Sequence, residues 1–153
     1  IRRNLELKKG KIVNTSGKIV GEHEGLPLYT IGQRRGINIG GDGPYYVVDK
    51  DLKKNVLVVT NNEKDPALVC RSMGVEKVNW IVAEPELPAK VLVKNRYRHP
   101  AVCATIKPWN MEHGAHSNRY IVEFDEPQRA ISPGQSAVFY TEEGEMLGGG
   151  RIK

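Results

Sequence analysis

Apolar positions recur along the chain in short alternating runs, and none holds the 3.6-residue period of a long helix. Glycine and proline, 16 and 9 in number, break these runs at short intervals, which predicts many short strands. Residues 10–21 read as a hairpin with a polar turn at Ser16-Gly17. Residues 45–49 and 55–60 predict a second pair joined by the charged turn 50–54, with the β-branched and aromatic side chains a pleated surface favours. Residues 28–36 form the one stretch that reads as a short helix, with Gly36 placed to stop it from the C′ position. The acidic, proline-bearing run Ala83-Glu84-Pro85-Glu86-Leu87-Pro88 predicts a boundary between a module 1–83 and a module 84–153. Beyond it, residues 90–97 alternate with period two, placing Val91, Val93, Asn95 and Tyr97 on one face and Leu92, Lys94 and Arg96 on the other. Further strands are predicted at 101–106, 119–124, 135–140 and 145–147, with a turn at Pro133-Gly134. Strands packed this densely predict a small closed barrel, which leaves no exposed edge. The fold class is therefore mainly β: a small β-rich module with one short helix, then a small β-barrel.

A length of 153 residues suffices for one ordinary core or two small ones. With 39% hydrophobic and 27% charged residues, the composition is that of a globular chain and not a disordered one. No apolar run approaches the roughly 18 residues of a membrane span, and residues 1–7 lack the apolar core of a signal peptide. A cytoplasmic protein without a membrane partner is expected, and the start at Ile1 without an initiator Met reads as a fragment boundary. Net charge is +5, with 14 Lys/Arg against 9 Asp/Glu in residues 1–83 and 9 against 9 in residues 84–153. Residues 90–107 hold Lys90, Lys94, Arg96, Arg98 and Lys107 with no acid, while the acids cluster later, in Glu123, Asp125, Glu126, Glu142, Glu143 and Glu145. Such segregation predicts one basic face, which suits a phosphate backbone.

Candidate chemistry is sparse. Cys70 and Cys103 have no CxxC partner and no His at ligand spacing, so both are expected to be reduced, partly buried and structural, with no metal site. His23, His99, His113 and His116 have no nucleophile in sequence context and are expected to be structural or at the surface, leaving no catalytic residue. The glycines of residues 36–41 lead into a strand and lack the Gly-Lys-Ser/Thr of a P-loop, so they predict a turn. Gly148-Gly149-Gly150 is expected to let a strand bend or a backbone approach closely. Arg96-Tyr97-Arg98 lies where strand pairing should end before Pro100. An arginine fork grips phosphate and an aromatic ring stacks on a base, although the residues alone also fit an ordinary strand with solvated arginines.

Longer motifs carry a family resemblance. In the first module these are residues 21–25 (Gly-Glu-His-Glu-Gly), residues 29–36 (Tyr-Thr-Ile-Gly-Gln-Arg-Arg-Gly), residues 39–41, residues 46–51 with Asn55, and Asn79-Trp80. In the second they are residues 96–98, residues 124–127 (Phe-Asp-Glu-Pro), residues 130–140 and residues 147–150. In order and spacing the chain resembles the middle and C-terminal domains of bacterial tRNA-specific 2-thiouridylases. The resemblance implies enzymes that adenylate the wobble uridine at its C2 oxygen with ATP and then deliver sulfur from a cysteine persulfide. It implies an ATP-holding N-terminal PP-loop domain, one catalytic cysteine in that domain and another just upstream of the segment matching Ile1. Cys70 and Cys103 match neither, so this chain is expected to be inactive alone and to hold no cofactor, ATP belonging to the parent enzyme. The implied partners are tRNA, the PP-loop domain and a sulfur-relay donor protein. The resemblance matches Arg96, Tyr97 and Gln135 to tRNA-contacting positions, and it likens the second module to domain 2 of elongation factors. The alternative is a stand-alone, non-enzymatic RNA-binding barrel of the translation-factor type.

Overall fold

The computed structural model describes residues 7–37, 39–40, 43–96, 99–109 and 118–153. Among them lie ten strands and two single-turn 3-10 helices, distributed over two compact units, Ile1–Val69 and Cys70–Lys153. The division therefore falls at Val69–Cys70 and not after residue 83.

The first unit is a four-stranded sheet built from β1 (Gly10–Asn14), β2 (Ile19–His23), β3 (Tyr46–Asp51) and β4 (Val56–Thr60), in the order β2-β1-β4-β3. Both predicted hairpins form, and β1 joins them by lying parallel to β4, from Lys11 opposite Val56 to Asn14 opposite Val59. The Asn14 side chain closes the first hairpin: its Oδ1 accepts from Ser16 N (3.2 Å), Ser16 Oγ (2.9 Å) and Lys18 N (2.8 Å). Ile12, Leu57, Val47 and Val59 are fully buried, and Leu26 and Tyr29 pack on them. The helix predicted at 28–36 does not form; a 3-10 turn, Leu26–Leu28, reaches only the first residue of the segment. Its backbone is spent on β3, with Gly32 N donating to Val47 O (2.7 Å) and Val47 N to Gln33 O (3.0 Å). Gly32 and Gly36 take φ of 78° and 76°, outside the helical region.

The second unit is a closed barrel in the order β10-β5-β8-β7-β6-β9. Its strands are β5 (Val69–Trp80), β6 (Ala89–Lys94), β7 (Val102–Pro108), β8 (Arg119–Arg129), β9 (Ser136–Tyr140) and β10 (Met146–Ile152). Every predicted strand of the second module is present, and β5 is an addition. Its inward positions are Met73 and Val75 before Lys77 but Val78 after it. At that point Gly149 faces Asn79 and Arg151 faces Glu76, so Lys77 and Val78 together oppose the single residue Gly150. This is a β-bulge, with Lys77 at φ 55°. Phe139, Val93, Ile106, Val122 and Ile152 fill the barrel. Trp80 lies against Phe139 (5.6 Å between ring centroids) and donates its Nε1–H to the Tyr120 hydroxyl (3.2 Å), which donates to Glu84 (2.8 Å). The acidic run after Trp80 is thereby tied to the barrel and is no inter-module link.

Gly148, Gly149 and Gly150 sit where neighbouring strands press closest. A Cβ on Gly149 would lie 2.7 Å from the Ala137 carbonyl oxygen, which agrees with the structural reading of the run.

Candidate nucleic-acid interface

Strand β6 ends at Lys94, and β9 begins at Ser136. The two are antiparallel neighbours, with Leu92 opposite Tyr140, Val93 opposite Phe139 and Lys94 opposite Val138. Val93 and Phe139 point into the core. By the period of two, Lys94, Val138, Leu92 and Tyr140 face outward. Past the ends of the two strands, Asn95 and Arg96 on one side and Gly134 and Gln135 on the other complete a groove of about 510 Å³. Two of the three predicted contact residues, Arg96 and Gln135, thus line one concavity although they lie far apart in the chain. The third, Tyr97, falls outside the described residues, as does Arg98.

Arg96 is half-buried, and its Nη2 donates a short hydrogen bond to the carbonyl oxygen of Ala130. Ala130 is buried with φ 56°, at the start of the turn that carries Gln135. The other flank of that turn is clamped by backbone bonds, Gly134 N to Ile152 O (2.8 Å) and Ile152 N to Gln135 O (2.7 Å). The backbone of Gln135 is therefore fixed, while its side-chain amide makes no hydrogen bond among the described residues and opens into the groove. A carbonyl acceptor leaves the arginine's charge uncancelled and most of its five donors unspent. The groove offers a positive fork, an amide with both donor and acceptor, and the partly exposed ring of Tyr140. That set can hold a phosphate and a neighbouring sugar or base.

The alternation of residues 90–97 already placed Lys94 and Arg96 on one face. Lys94, Asn95, Ser136 and Tyr140 were not predicted as site residues, because the register that brings β9 beside β6 is a tertiary property.

Two sequence expectations need correction, and a third is made definite. The acid-free stretch 90–107 does not form one uniformly basic face, because Lys90 pairs with Asp125 (2.7 Å) and Lys107 with Glu123 (2.6 Å), both from β8. Cys103 is exposed and not partly buried; Cys70 is partly buried and packs on the barrel core. His23 is a buried structural histidine, with Nε2 donating to the Asn55 carbonyl (3.2 Å) and its ring edge toward Tyr29 (6.0 Å). Among the described residues no group of three or more His, Cys, Asp or Glu is placed to hold a metal, and no helix is long and apolar enough to cross a membrane.

Comparison with known proteins agrees with this architecture. Residues 1–61 match the family model of the tRNA methyl transferase PRC-barrel domain, and residues 70–152 that of the aminomethyltransferase beta-barrel domain. The second match begins at Cys70, where the second compact unit begins. Over 161 aligned positions covering 99% of the chain, it is 43% identical to the tRNA-specific 2-thiouridylase MnmA of Acinetobacter baumannii. It is 42% identical to that of Vibrio cholerae serotype O1 over 160 positions covering 100% of the chain. The chain spans 41% of the length of each of these relatives. On these grounds the chain belongs to the family of the tRNA-specific 2-thiouridylases, of which it carries the PRC-barrel and aminomethyltransferase-type β-barrel domains.

Proposed function

We propose that this chain is the C-terminal part of a tRNA 2-thiouridylase and that it binds and positions tRNA for ATP-dependent 2-thiolation of the wobble uridine. The observation that carries the reading is the convergence of Arg96 and Gln135 on one groove. The Arg96 guanidinium supplies a paired-donor grip on a phosphodiester. Gln135, whose backbone is held by a turn clamped on both flanks, supplies a side-chain amide whose donor and acceptor distinguish ribose hydroxyls and base edges from phosphate. Rigid presentation lowers the ordering cost of binding. Tyr97, next to Arg96 in sequence, belongs to the same proposed contact set as a stacking ring.

In this reading the chain performs no covalent step. ATP binding, adenylation and persulfide transfer belong to an N-terminal PP-loop domain served by a sulfur-relay donor protein. Cys70 and Cys103 take no part in the sulfur chemistry. The greater length of the relatives favours this assignment over a stand-alone RNA-binding barrel. The reading frame upstream of Ile1 discriminates the two, a Ser-Gly-Gly-x-Asp-Ser signature supporting the first.

The binding test uses an unmodified tRNA transcript with uridine at the wobble position, titrated with the 153-residue chain at low salt. The double substitution Arg96→Ala/Gln135→Ala is expected to weaken binding about tenfold or more, the loss of one charged and one neutral hydrogen-bonding group. Lys64→Ala, in the first unit, serves as a charge control and is expected to have little effect. Equal affinity of the double variant and the parent chain overturns the reading.

A further inference from the structure

We propose that Lys77, Arg119 and Arg151 form a second phosphate-binding subsite around Glu76, one that takes a phosphodiester of the same RNA that enters the Arg96–Gln135 groove. The proposal rests on the tRNA-binding reading above and extends it around the barrel wall.

The topology makes the two places continuous. Ser136, at the edge of the groove, lies directly opposite Arg151 on β10, and Arg151 lies directly opposite Glu76 on β5. Directly opposed residues share a face, so this row runs outward-facing across β9, β10 and β5. The next strand is β8, and the Lys77 N–H donates to the carbonyl of Asn118, the residue just before it (2.8 Å). Strands are about 4.8 Å apart, which puts Ser136 and Glu76 about 10 Å from each other. A few nucleotides of one strand cover that span. At the far end Glu76, Lys77, Asn118 and Arg119 line a second concavity of about 370 Å³.

The local charge is unbalanced. Glu76 is the one carboxylate of the cluster and is taken by Arg151, whose Nε donates to it at 3.2 Å and whose Nη2 pairs with it as well. The hydrogen bond from Arg151 holds the Glu76 carboxyl below its ordinary range, and the charges of Arg151, Arg119 and Lys77 add to the effect. All three cations therefore act on one carboxylate and leave an excess of two positive charges. The side chains of Lys77 and Arg119 are exposed and make no ion pair or hydrogen bond among the described residues. The bulge at Lys77 is a device that re-aims a side chain off the regular sheet face. A fork and a point charge beside a concavity, continuous with the RNA groove, fit a phosphodiester oxygen pair.

The experiment measures the salt dependence of binding between the chain and the tRNA transcript. Lys77→Ala/Arg119→Ala is expected to shrink the slope of log affinity against log salt by about 0.7–0.9, the contribution of one phosphate contact. Glu76→Gln is expected to steepen the slope and tighten binding severalfold at low salt, a gain that a purely structural role would not produce. Thermal melting confirms that each variant is folded. An unchanged slope in Lys77→Ala/Arg119→Ala, with Arg96→Ala/Gln135→Ala still weakening binding, sinks the second subsite and leaves the groove standing. Should the parent chain fail to bind the transcript, the groove reading falls, and inorganic phosphate followed by amide chemical shifts decides the subsite. Shifts at Lys77 and Arg119 support an anion site, and their absence removes it.

Discussion

Arg96 stands where binding and stability meet, and replacing it separates the two. Its Nη2 bonds the carbonyl of Ala130, a residue only 3% exposed, and the Ser132 hydroxyl also approaches that oxygen, at 3.4 Å. Arg96→Ala removes a charged donor and leaves a buried carbonyl with a single long contact. Loss of such a bond costs about 1.5–3 kcal/mol, and partial exposure of the arginine points to the lower half of that range. In a domain of this size about 1 kcal/mol moves the melting temperature by roughly 4–8 °C, so a fall of about 10 °C is expected for the barrel. Arg96→Lys keeps the charge but presents one compact ammonium, which can serve the carbonyl or a phosphate and not both. Part of the stability should return while tRNA affinity remains low. Because Arg96 fixes the turn that presents Gln135, the two residues should not act independently: a double-mutant cycle on tRNA binding is expected to show a coupling of at least about 0.5 kcal/mol. Circular-dichroism melts and transcript binding on the four proteins provide the numbers. If Arg96→Ala melts with the parent chain and its binding loss simply adds to that of Gln135→Ala, then Arg96 is an ordinary surface cation. The turn would in that case be held by the Gly134 and Ile152 backbone bonds alone.

Gly149→Ala is expected to destabilise the barrel by about 1–3 kcal/mol, because the added Cβ meets the backbone oxygen of Ala137 at 2.7 Å and no rotamer relieves it. Gly144→Ala, with φ 90° and open space around it, isolates the cost of left-handed backbone at about 1 kcal/mol, and urea melts that rank the two the other way would refute the packing argument. Burial raises the pKa of Tyr120, so its protonated form is favoured in the folded barrel. That stability is fully present below the unfolded value of about 10 and is lost as pH rises through the folded value. The urea midpoint of the parent chain should therefore fall more steeply above pH 10 than that of Tyr120→Phe, and parallel curves would show that Tyr120 is not responsible.

Much of the fold was legible because period-two alternation is a local property. Val91 and Val93, placed on one face of the 90–97 run by its period of two, are both inward in the barrel. β5 was missed because its alternation changes phase at Lys77: Met73 and Val75 share one parity and Val78 has the other, so no single template fits the strand. That missed strand also displaced the domain boundary, since Trp80 and Glu84 look like the approach to a linker until the Trp80–Tyr120–Glu84 chain places them on the barrel. The helix expected over residues 28–36 lost to tertiary pairing, with Gly32 and Gln33 giving their backbone groups to Val47. No local rule places Gln135 beside Arg96. The register of β6 against β9 does so, and only the resemblance of both positions to tRNA-contacting ones singled them out beforehand.

Charge was the sequence signal that changed most on folding, and the reason is antiparallel pairing. A basic stretch and an acidic stretch that are separate in sequence become neighbours when their strands pair or lie one strand apart, and β6, β7 and β8 do this. Asp125 and Glu123 come from the later, acid-bearing part of the chain and neutralise Lys90 and Lys107 on the outer wall. Exposed pairs of this kind add little stability, about 0–1 kcal/mol each, but they remove two charges from the field an approaching polyanion meets. On the other side of the barrel the reverse occurs. Lys77, Arg119 and Arg151 lie in three separate sequence neighbourhoods, two of which carry acids, and none stands out as basic; β5, β8 and β10 gather them about the single carboxylate of Glu76. Arg96 keeps its charge because its partner is a carbonyl and not a carboxylate. The positive surface of the barrel is thus set by strand order more than by runs of lysine and arginine. Of residues 90–107 it keeps the Lys94–Arg96 end in the β6–β9 groove, and its other cations come from β10, β5 and β8.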